Sequence, residues 1–282
     1  MKPILVHIHI FYPEMWAELK AYLSNLPQSC PFRLFVTLVQ HYPELESDVL
    51  AFAPDAQIII VENRGFDVGP FVQVLNSVNL DDYSYCIKLH SKRDMPEWSS
   101  IGKVSLAGSL WRDYLLSFLK KENIGRVLHA FEHDPKLGMT GHYRLVFYKC
   151  LHDCVYNQSA ELLKKVGLPV KNFAYVIGTM FMCRAALMKP IQQMGFTMQD
   201  FDPPDRRHPE ALAYTLEGLL GWVVTAQGYE LRDCFTPHWK LRRFLGAVVG
   251  VPASFVYSNK ITSSGRHIVK ICKIPVYISK KK

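Results

Sequence analysis

Two short stretches gather the side chains of this sequence that can do chemistry. The first, Glu62-Asn63-Arg64-Gly65-Phe66-Asp67-Val68-Gly69-Pro70, sets an amide, a guanidinium, a carboxylate and two glycines directly after the apolar run 57–61. The second, Lys88-Leu89-His90-Ser91-Lys92-Arg93, sets cations, an imidazole and a hydroxyl at the end of another apolar run. Glycines let a backbone approach a ligand closely. Lys and Arg supply charge, and Ser and glycine amides supply hydrogen bonds, which together suit phosphate. Each stretch alone has a plainer reading. Asn63 and Asp67 can cap a turn and a helix beginning near Pro70, and Lys92-Arg93 can be a solvated basic turn. Both stretches close a strand, however, and the carboxyl ends of parallel strands are where open α/β sheets bind ligands.

The elements that must position them follow from periodicity. Strands are predicted at 4–11, 32–39, 57–61 and 83–90, with helices at 14–23, 45–52 and 71–78 between them. Strands alternating with helices at this interval imply a parallel, doubly wound sheet. The second half is less regular. Helices are predicted at 106–118, 124–131 and 210–220, a short strand at 137–141, and a strand at 173–183 interrupted at Ile177-Gly178-Thr179. Pro203-Pro204 and Arg206-Arg207 mark an exposed loop.

With 49% hydrophobic and 21% charged residues in 282, the chain can bury a sizeable core. Its seven cysteines are odd in number and scattered, which favours reduced thiols over a disulfide framework. Cys150-Leu-His152-Asp-Cys154 has the look of half a metal site, but no second pair completes it. No signal peptide is visible at the start, and the longest uncharged apolar run, Phe244 to Tyr257, is too short to span a bilayer. A cytoplasmic protein is expected, peripheral on the inner face of the membrane. The net charge of +8 calls for anionic partners. Lys240, Arg242, Arg243, Lys270, Lys273 and Lys280–Lys282 flank that run beside Trp239, a pattern suited to an anionic membrane surface. A solvated tail with a core helix is the plainer reading. Nucleic acid is not expected, since no recognition module or helix-turn-helix pattern is evident.

These blocks resemble the rhamnan synthesis F family. Asn63–Phe71 (NRGFDVGPF) followed by Tyr83–Asp94 (YSYCIKLHSKRD) is similar to its paired signature. Phe173–Leu187 (FAYVIGTMFMCRAAL) resembles its glycine-Ser/Thr-Met-Phe strand, and Ala211–Gly221 (ALAYTLEGLLG) its late helix. The resemblance implies a GT-A-like α/β fold: a doubly wound, mostly parallel sheet flanked by helices, with a basic, apolar C-terminal extension. It implies a domain over 1–235, with a nucleotide-sugar half at 1–100 and an acceptor half at 101–235, and the extension at 236–282.

By the same resemblance the protein is expected to be a glycosyltransferase of bacterial surface polysaccharide (O-antigen, capsule or rhamnan). Its donor would be a dTDP- or UDP-linked sugar, rhamnose or galactofuranose, and its acceptor lipid-linked or oligosaccharide. Asn63, Arg64, Gly65, Asp67 and Gly69 would border the donor, and His90, Ser91, Lys92 and Arg93 its diphosphate. Gly178, Thr179 and Asp205 would lie on the acceptor side. Many GT-A enzymes carry an Asp-x-Asp pair where this chain has His90-Ser91-Lys92. Hard cations prefer carboxylate oxygens, so no divalent metal or other cofactor is expected, and lysine and arginine would offset the diphosphate charge. An inverting transfer needs a base for the acceptor hydroxyl. Glu210 is the first candidate, with Glu217 and His208 behind it, because Pro209-Glu210-Ala211 stands where the family tends to have Asp-Gly-Thr. A non-catalytic nucleotide-sugar- or glycan-binding partner of another transferase is the alternative.

Overall fold

The computed structural model describes residues 2–93, 95–101, 104–108, 110–150, 153–203, 211–244, 257–261, 266–271 and 274–280. The chain divides into two compact units, Met1–Thr236 and Pro237–Lys282.

In the first unit β1 (Ile4–Ile10), α1 (Trp16–Leu23), β2 (Phe32–Leu38), α2 (Pro43–Phe52), β3 (Gln57–Ile60), α3 (Val68–Ser77) and β4 (Tyr85–His90) alternate as the periodicity requires. A hairpin of β5 (Met95–Ile101) and β6 (Val104–Gly108) follows, then α4 (Leu110–Leu116), α5 (Lys121–His133), β7 (Leu137–Thr140), β8 (Val146–Phe147) and α6 (Asp153–Lys165). β9 (Tyr175–Val176), β10 (Phe181–Arg184), α7 (Lys189–Gln193), α8 (Leu212–Ala226) and β11 (Glu230–Leu231) complete it. The central sheet has the order β11-β7-β10-β4-β1-β2-β3. β1 pairs in parallel with both β2 and β4, β2 with β3, and β11 with β7, while β10 alone runs against its neighbours. The sheet is therefore mostly parallel and flanked by helices.

The order fixes where a ligand can enter. From β1 the chain steps outward to β2 and β3, then returns across the sheet to β4 on the other side of β1. Right-handed crossovers place α1 and α2 on one face and α3 on the other. The winding reverses at β1 and β4, and in open α/β sheets it is outside the carboxyl ends of the strands at such a reversal that ligands bind. The central strands are closed on both faces, and every residue of Ile4–Ile10 and Tyr85–His90 is buried.

Three predicted boundaries are corrected. The helix expected at 106–118 is split, because Val104–Gly108 pairs with Met95–Ile101 in the hairpin and only Leu110–Leu116 is α-helical. The helix expected from Phe71 begins at Val68, since Pro70 in its first turn has no N–H to leave unpaired. The late helix is Leu212–Ala226, longer than expected because its apolar residues pack on nearly every side.

In the second unit β12 (Tyr257–Ile261), β13 (Arg266–Ile271) and β14 (Ile274–Lys280) form an antiparallel sheet. The run expected to touch a membrane falls mostly at 245–256, outside the described residues. Among those described, no helix is long and apolar enough to cross a membrane.

Candidate functional site

Asp67 ends the turn after β3 and stands at the N-cap of α3, yet its side chain makes no capping hydrogen bond. It turns instead toward the switch point, where one carboxylate oxygen, Oδ2, accepts hydrogen bonds from Lys88 Nζ and Thr179 Oγ1. Lys88 is wholly buried, whereas the Asp67 side chain keeps 19% of its surface. The lysine's other two protons go to Thr179, at Oγ1 (2.8 Å) and at the backbone oxygen (3.2 Å), so its ammonium is saturated. His90 Nε2 lies 4.0 Å from Asp67 and 2.9 Å from the Gly178 carbonyl. Burial pushes the Asp67 carboxyl upward, but the charges of His90 and Lys88 and its two hydrogen bonds outweigh that and hold it well below the ordinary range. Asp67 is thus a fixed anion, and among the described residues its Oδ1 takes no hydrogen bond.

Behind this pair lies a polar seam. His7 and His9 alternate on β1, in register with Lys88 and His90 of β4. Both imidazoles share Thr37 Oγ1, at 2.9 and 3.0 Å. Phe71 of α3 stacks on His7 at 5.5 Å and lies 5.6 Å from Lys88 Nζ, sealing the seam from above. Burial pushes both imidazoles down, His9 to about 4, so they are neutral. His7 Nδ1 is buried with no hydrogen-bond partner.

Across from the Asp67–Lys88 pair stand the turn between β9 and β10 and the helix α8. Gly178 and Thr179 both have positive φ, 79° and 50°. A Cβ on Gly178 would stand 2.8 Å from Leu115 and 3.1 Å from Trp111 of α4, so a side chain there would displace Leu115 and strain a backbone at φ 79°. The Gly178 peptide then serves two groups. Its N–H donates to Glu217 Oε1 at 3.0 Å, and its carbonyl faces His90. Glu217 is half-buried. Loss of solvent pushes its carboxyl upward, the Gly178 N–H opposes this, and the Asp67 charge adds to it.

The other candidates are placed unequally. Gly65 (φ 65°) and Gly69 hold the turn tight, with the Phe201 ring where a Gly65 side chain would be. Arg64 is spent on that turn, donating to Glu62 (2.8 Å) and to the Phe201 carbonyl (3.0 Å), while Asn63 is exposed. Ser91 Oγ accepts from the amides of Phe11 (2.8 Å) and Tyr12 (2.9 Å), so it braces the exit of β1. Arg93 pairs with Glu14 and lies over Tyr12 at 4.1 Å. Lys92 lies half-buried 5.9 Å from the Trp111 ring, and among the described residues its ammonium has no acidic partner. Asp205, His208 and Glu210 fall in 204–210, outside the described residues.

The site therefore joins what the sequence reading kept apart: Thr179, expected on the acceptor side, is hydrogen-bonded to Asp67 of the donor turn. Lys88, grouped with the phosphate-binding cations, is instead the buried counter-ion of Asp67. His7, His9 and Thr37 were missed altogether. Their signal was in the text, two histidines alternating within an apolar central strand. Among the described residues no group of three His, Cys, Asp or Glu side chains is arranged to hold a metal ion. Chemically, these residues offer a fixed anion, a carboxyl of raised pKa and, among the described residues, an ammonium without an acidic partner.

The family model described as rhamnan synthesis protein F matches residues 1–229. The uncharacterized protein WxcX, in two strains of Xanthomonas campestris pv. campestris, is 23% identical over 236 residues, covering 80% of this chain and 32% of its own length. The chain thus spans about a third, 32%, of the curated relatives it matches. Among solved structures, glucosyl-3-phosphoglycerate synthase from Mycobacterium tuberculosis, in complex with Mn²⁺, UDP and glucosyl-3-phosphoglycerate, is 9% identical. It covers 99% of this chain and 90% of its own at a TM-score of 0.36. Core-mannan synthase A from Aspergillus fumigatus, in a Mn/GDP form, is 9% identical over 76% of this chain and 69% of its own, at 0.35. Likeness this loose carries no argument about chemistry.

Proposed function

The chain belongs to the rhamnan synthesis protein F family, and on that premise we propose that it is a glycosyltransferase that moves a sugar from a nucleotide-sugar donor to a growing bacterial surface polysaccharide. One observation supports this reading most: the adjacent residues Gly178 and Thr179 hold two carboxyls, Glu217 by the Gly178 N–H and Asp67 by the Thr179 hydroxyl, and the two are pushed apart in acidity, Asp67 downward and Glu217 upward. Such divergence marks a division between a fixed charge and a proton acceptor.

In this reading Asp67, held ionised by Lys88 and Thr179, accepts a hydroxyl of the donor sugar at its open Oδ1. Glu217 takes the proton of the acceptor hydroxyl as that oxygen attacks the anomeric carbon. The bond from that carbon to the diphosphate oxygen breaks, its electrons leave with the diphosphate, and Lys92 offsets the charge. The transfer inverts and needs no metal. By family resemblance the sugar is rhamnose or galactofuranose, carried on dTDP or UDP.

The test is turnover with a nucleotide-sugar and a glycan acceptor, run in EDTA. Glu217→Gln lowers turnover by about 10²-fold or more while leaving donor affinity, measured by thermal shift, unchanged. Near-normal turnover in that variant, with Glu210→Gln or His208→Gln dead, moves the base to 204–210. Activity restored only by Mn²⁺ or Mg²⁺ overturns the metal-free step. Donor binding with neither transfer nor hydrolysis leaves the non-catalytic partner.

A further inference from the structure

β10 runs against both β4 and β7, so β7 points the same way as β4 and its carboxyl end opens on the same edge of the sheet. The segment that follows, Gly141 to Leu145, is held in place from below. Asp233, fully buried, accepts the Tyr143 amide at 2.9 Å with one oxygen and the amides of Phe235 (3.0 Å) and Thr236 (2.8 Å) with the other. His142 stacks on Tyr114 of α4, with ring centres 4.3 Å apart and 18° between planes. α4 also carries Trp111 and Leu115, the two side chains against Gly178. The segment is thereby tied to the wall that holds Glu217.

Arg144 finishes this arrangement. It is exposed, its guanidinium lies 5.6 Å from the Tyr114 ring and 5.7 Å from the Tyr143 ring, and its Nε donates to Tyr143 Oη at 3.3 Å. Arg33, Arg64, Arg93, Arg112 and Arg232 have carboxylate partners, and Arg126 and Arg184 donate to backbone carbonyls. Arg144 has no carboxylate partner among the described residues. A planar cation steadied by two rings, with most of its fork of N–H donors left over, matches the geometry of a phosphate group. Half-buried Tyr143 beside it offers an aromatic face and a hydroxyl to a sugar ring.

We propose that Arg144, with Tyr143 and Tyr114, forms an anion subsite for a phosphate-bearing glycan on the acceptor side of the crevice. The word acceptor rests on the glycosyltransferase reading; the anion site does not. It is distinct from Lys92, which stands over Trp111, one turn before Tyr114 on α4.

The experiment titrates the full chain and its Arg144→Gln variant by calorimetry with four probes: an alkyl-diphosphate-linked N-acetylhexosamine, the neutral alkyl glycoside of the same sugar, inorganic pyrophosphate, and UDP. The diphosphate-linked sugar binds more tightly than the other two non-nucleotide probes. Arg144→Gln loses about tenfold or more of that affinity, the scale of one charge-assisted hydrogen bond, and leaves UDP and the neutral glycoside unchanged. A variant that binds the diphosphate-linked sugar as wild type does overturns the subsite. Pyrophosphate binding as tightly as the linked sugar reduces it to a site for free phosphate and overturns the glycan. Loss of UDP binding in the variant assigns Arg144 to the donor, which also overturns the inference and leaves the transferase reading standing. Arg144-dependent binding of the linked sugar with no UDP binding by wild type sinks the transferase reading and keeps the subsite.

Discussion

Removing either member of the Asp67–Lys88 pair leaves a charge behind, and the two vacated partners differ in access to water. In Asp67→Asn the lone ammonium of Lys88, with no exposed surface, keeps only Thr179 and the new amide oxygen. A buried lysine can escape by losing its proton, at a cost of about 1.4 kcal/mol for each pH unit below its ordinary pKa near 10.4. That sets a ceiling of roughly 4.6 kcal/mol at pH 7 and roughly 1.9 kcal/mol at pH 9, in line with the ~3–5 kcal/mol typical of broken buried pairs. Here the unfolded chain binds the extra proton, so stability recovers as pH rises. Lys88→Met leaves Asp67, which keeps 19% exposure and the Thr179 hydroxyl, so its cost is smaller, about 1.5–3 kcal/mol. Without the lysine's charge and hydrogen bond the carboxyl pKa rises from its depressed wild-type position, so the folded variant binds a proton that the folded wild type does not, and this cost shrinks as pH falls through that pKa. Urea unfolding of wild type, both variants and the double variant at pH 5, 7 and 9, followed by tryptophan fluorescence, measures all of this. The double variant should cost less than the sum of the singles by about 1 kcal/mol or more. Equal costs for the two singles at pH 7, or pH trends of the same sign, would refute the reasoning.

Gly178→Ala places a methyl at φ 79° and 2.8 Å from Leu115; it should cost about 1–3 kcal/mol in denaturant unfolding and lower turnover, since Glu217 and His90 both meet that peptide. An alanine variant as stable and active as wild type would mean that the segment relaxes freely. Wild type should lose stability as pH falls from 6.5 toward 4. His9 is neutral when folded, with its pKa lowered to about 4, while the unfolded chain takes up the proton, at a slope of about 1.4 kcal/mol per pH unit. His7 and His90 are also pushed down by burial and add to that slope, so His9→Gln should remove one histidine's share, about 1.4 kcal/mol per pH unit, in the same urea series, and an unchanged slope would remove His9 as a source.

The alternation of strands and helices before residue 91 was legible because each element carries its own period, and a period depends only on neighbours in sequence. The turns after β3 and β4 were legible for the same reason: glycines, a proline and charges interrupt apolar runs at fixed places. Gly178-Thr179 showed as a break in a strand, though not what the break was for. Leu106–Gly108, expected as the start of a helix, belongs to a strand, since five residues of mixed character hold no period long enough to separate helix from strand, and pairing with Met95–Ile101 decided it.

Tertiary structure alone decided the charges. Asp67 and Thr179 are 112 residues apart, and Lys88 reaches both only because β10 lies against β4 with Phe181 opposite Lys88. Whether a lysine offsets a substrate's phosphate or a neighbour's carboxylate depends on which oxygen lies within about 3 Å, a distance the sequence order does not carry. The same holds for Glu217, whose residue type allows a base but whose raised pKa comes from loss of solvent in the fold and from the Asp67 charge. Composition supplied the groups, and packing assigned each its protonation state.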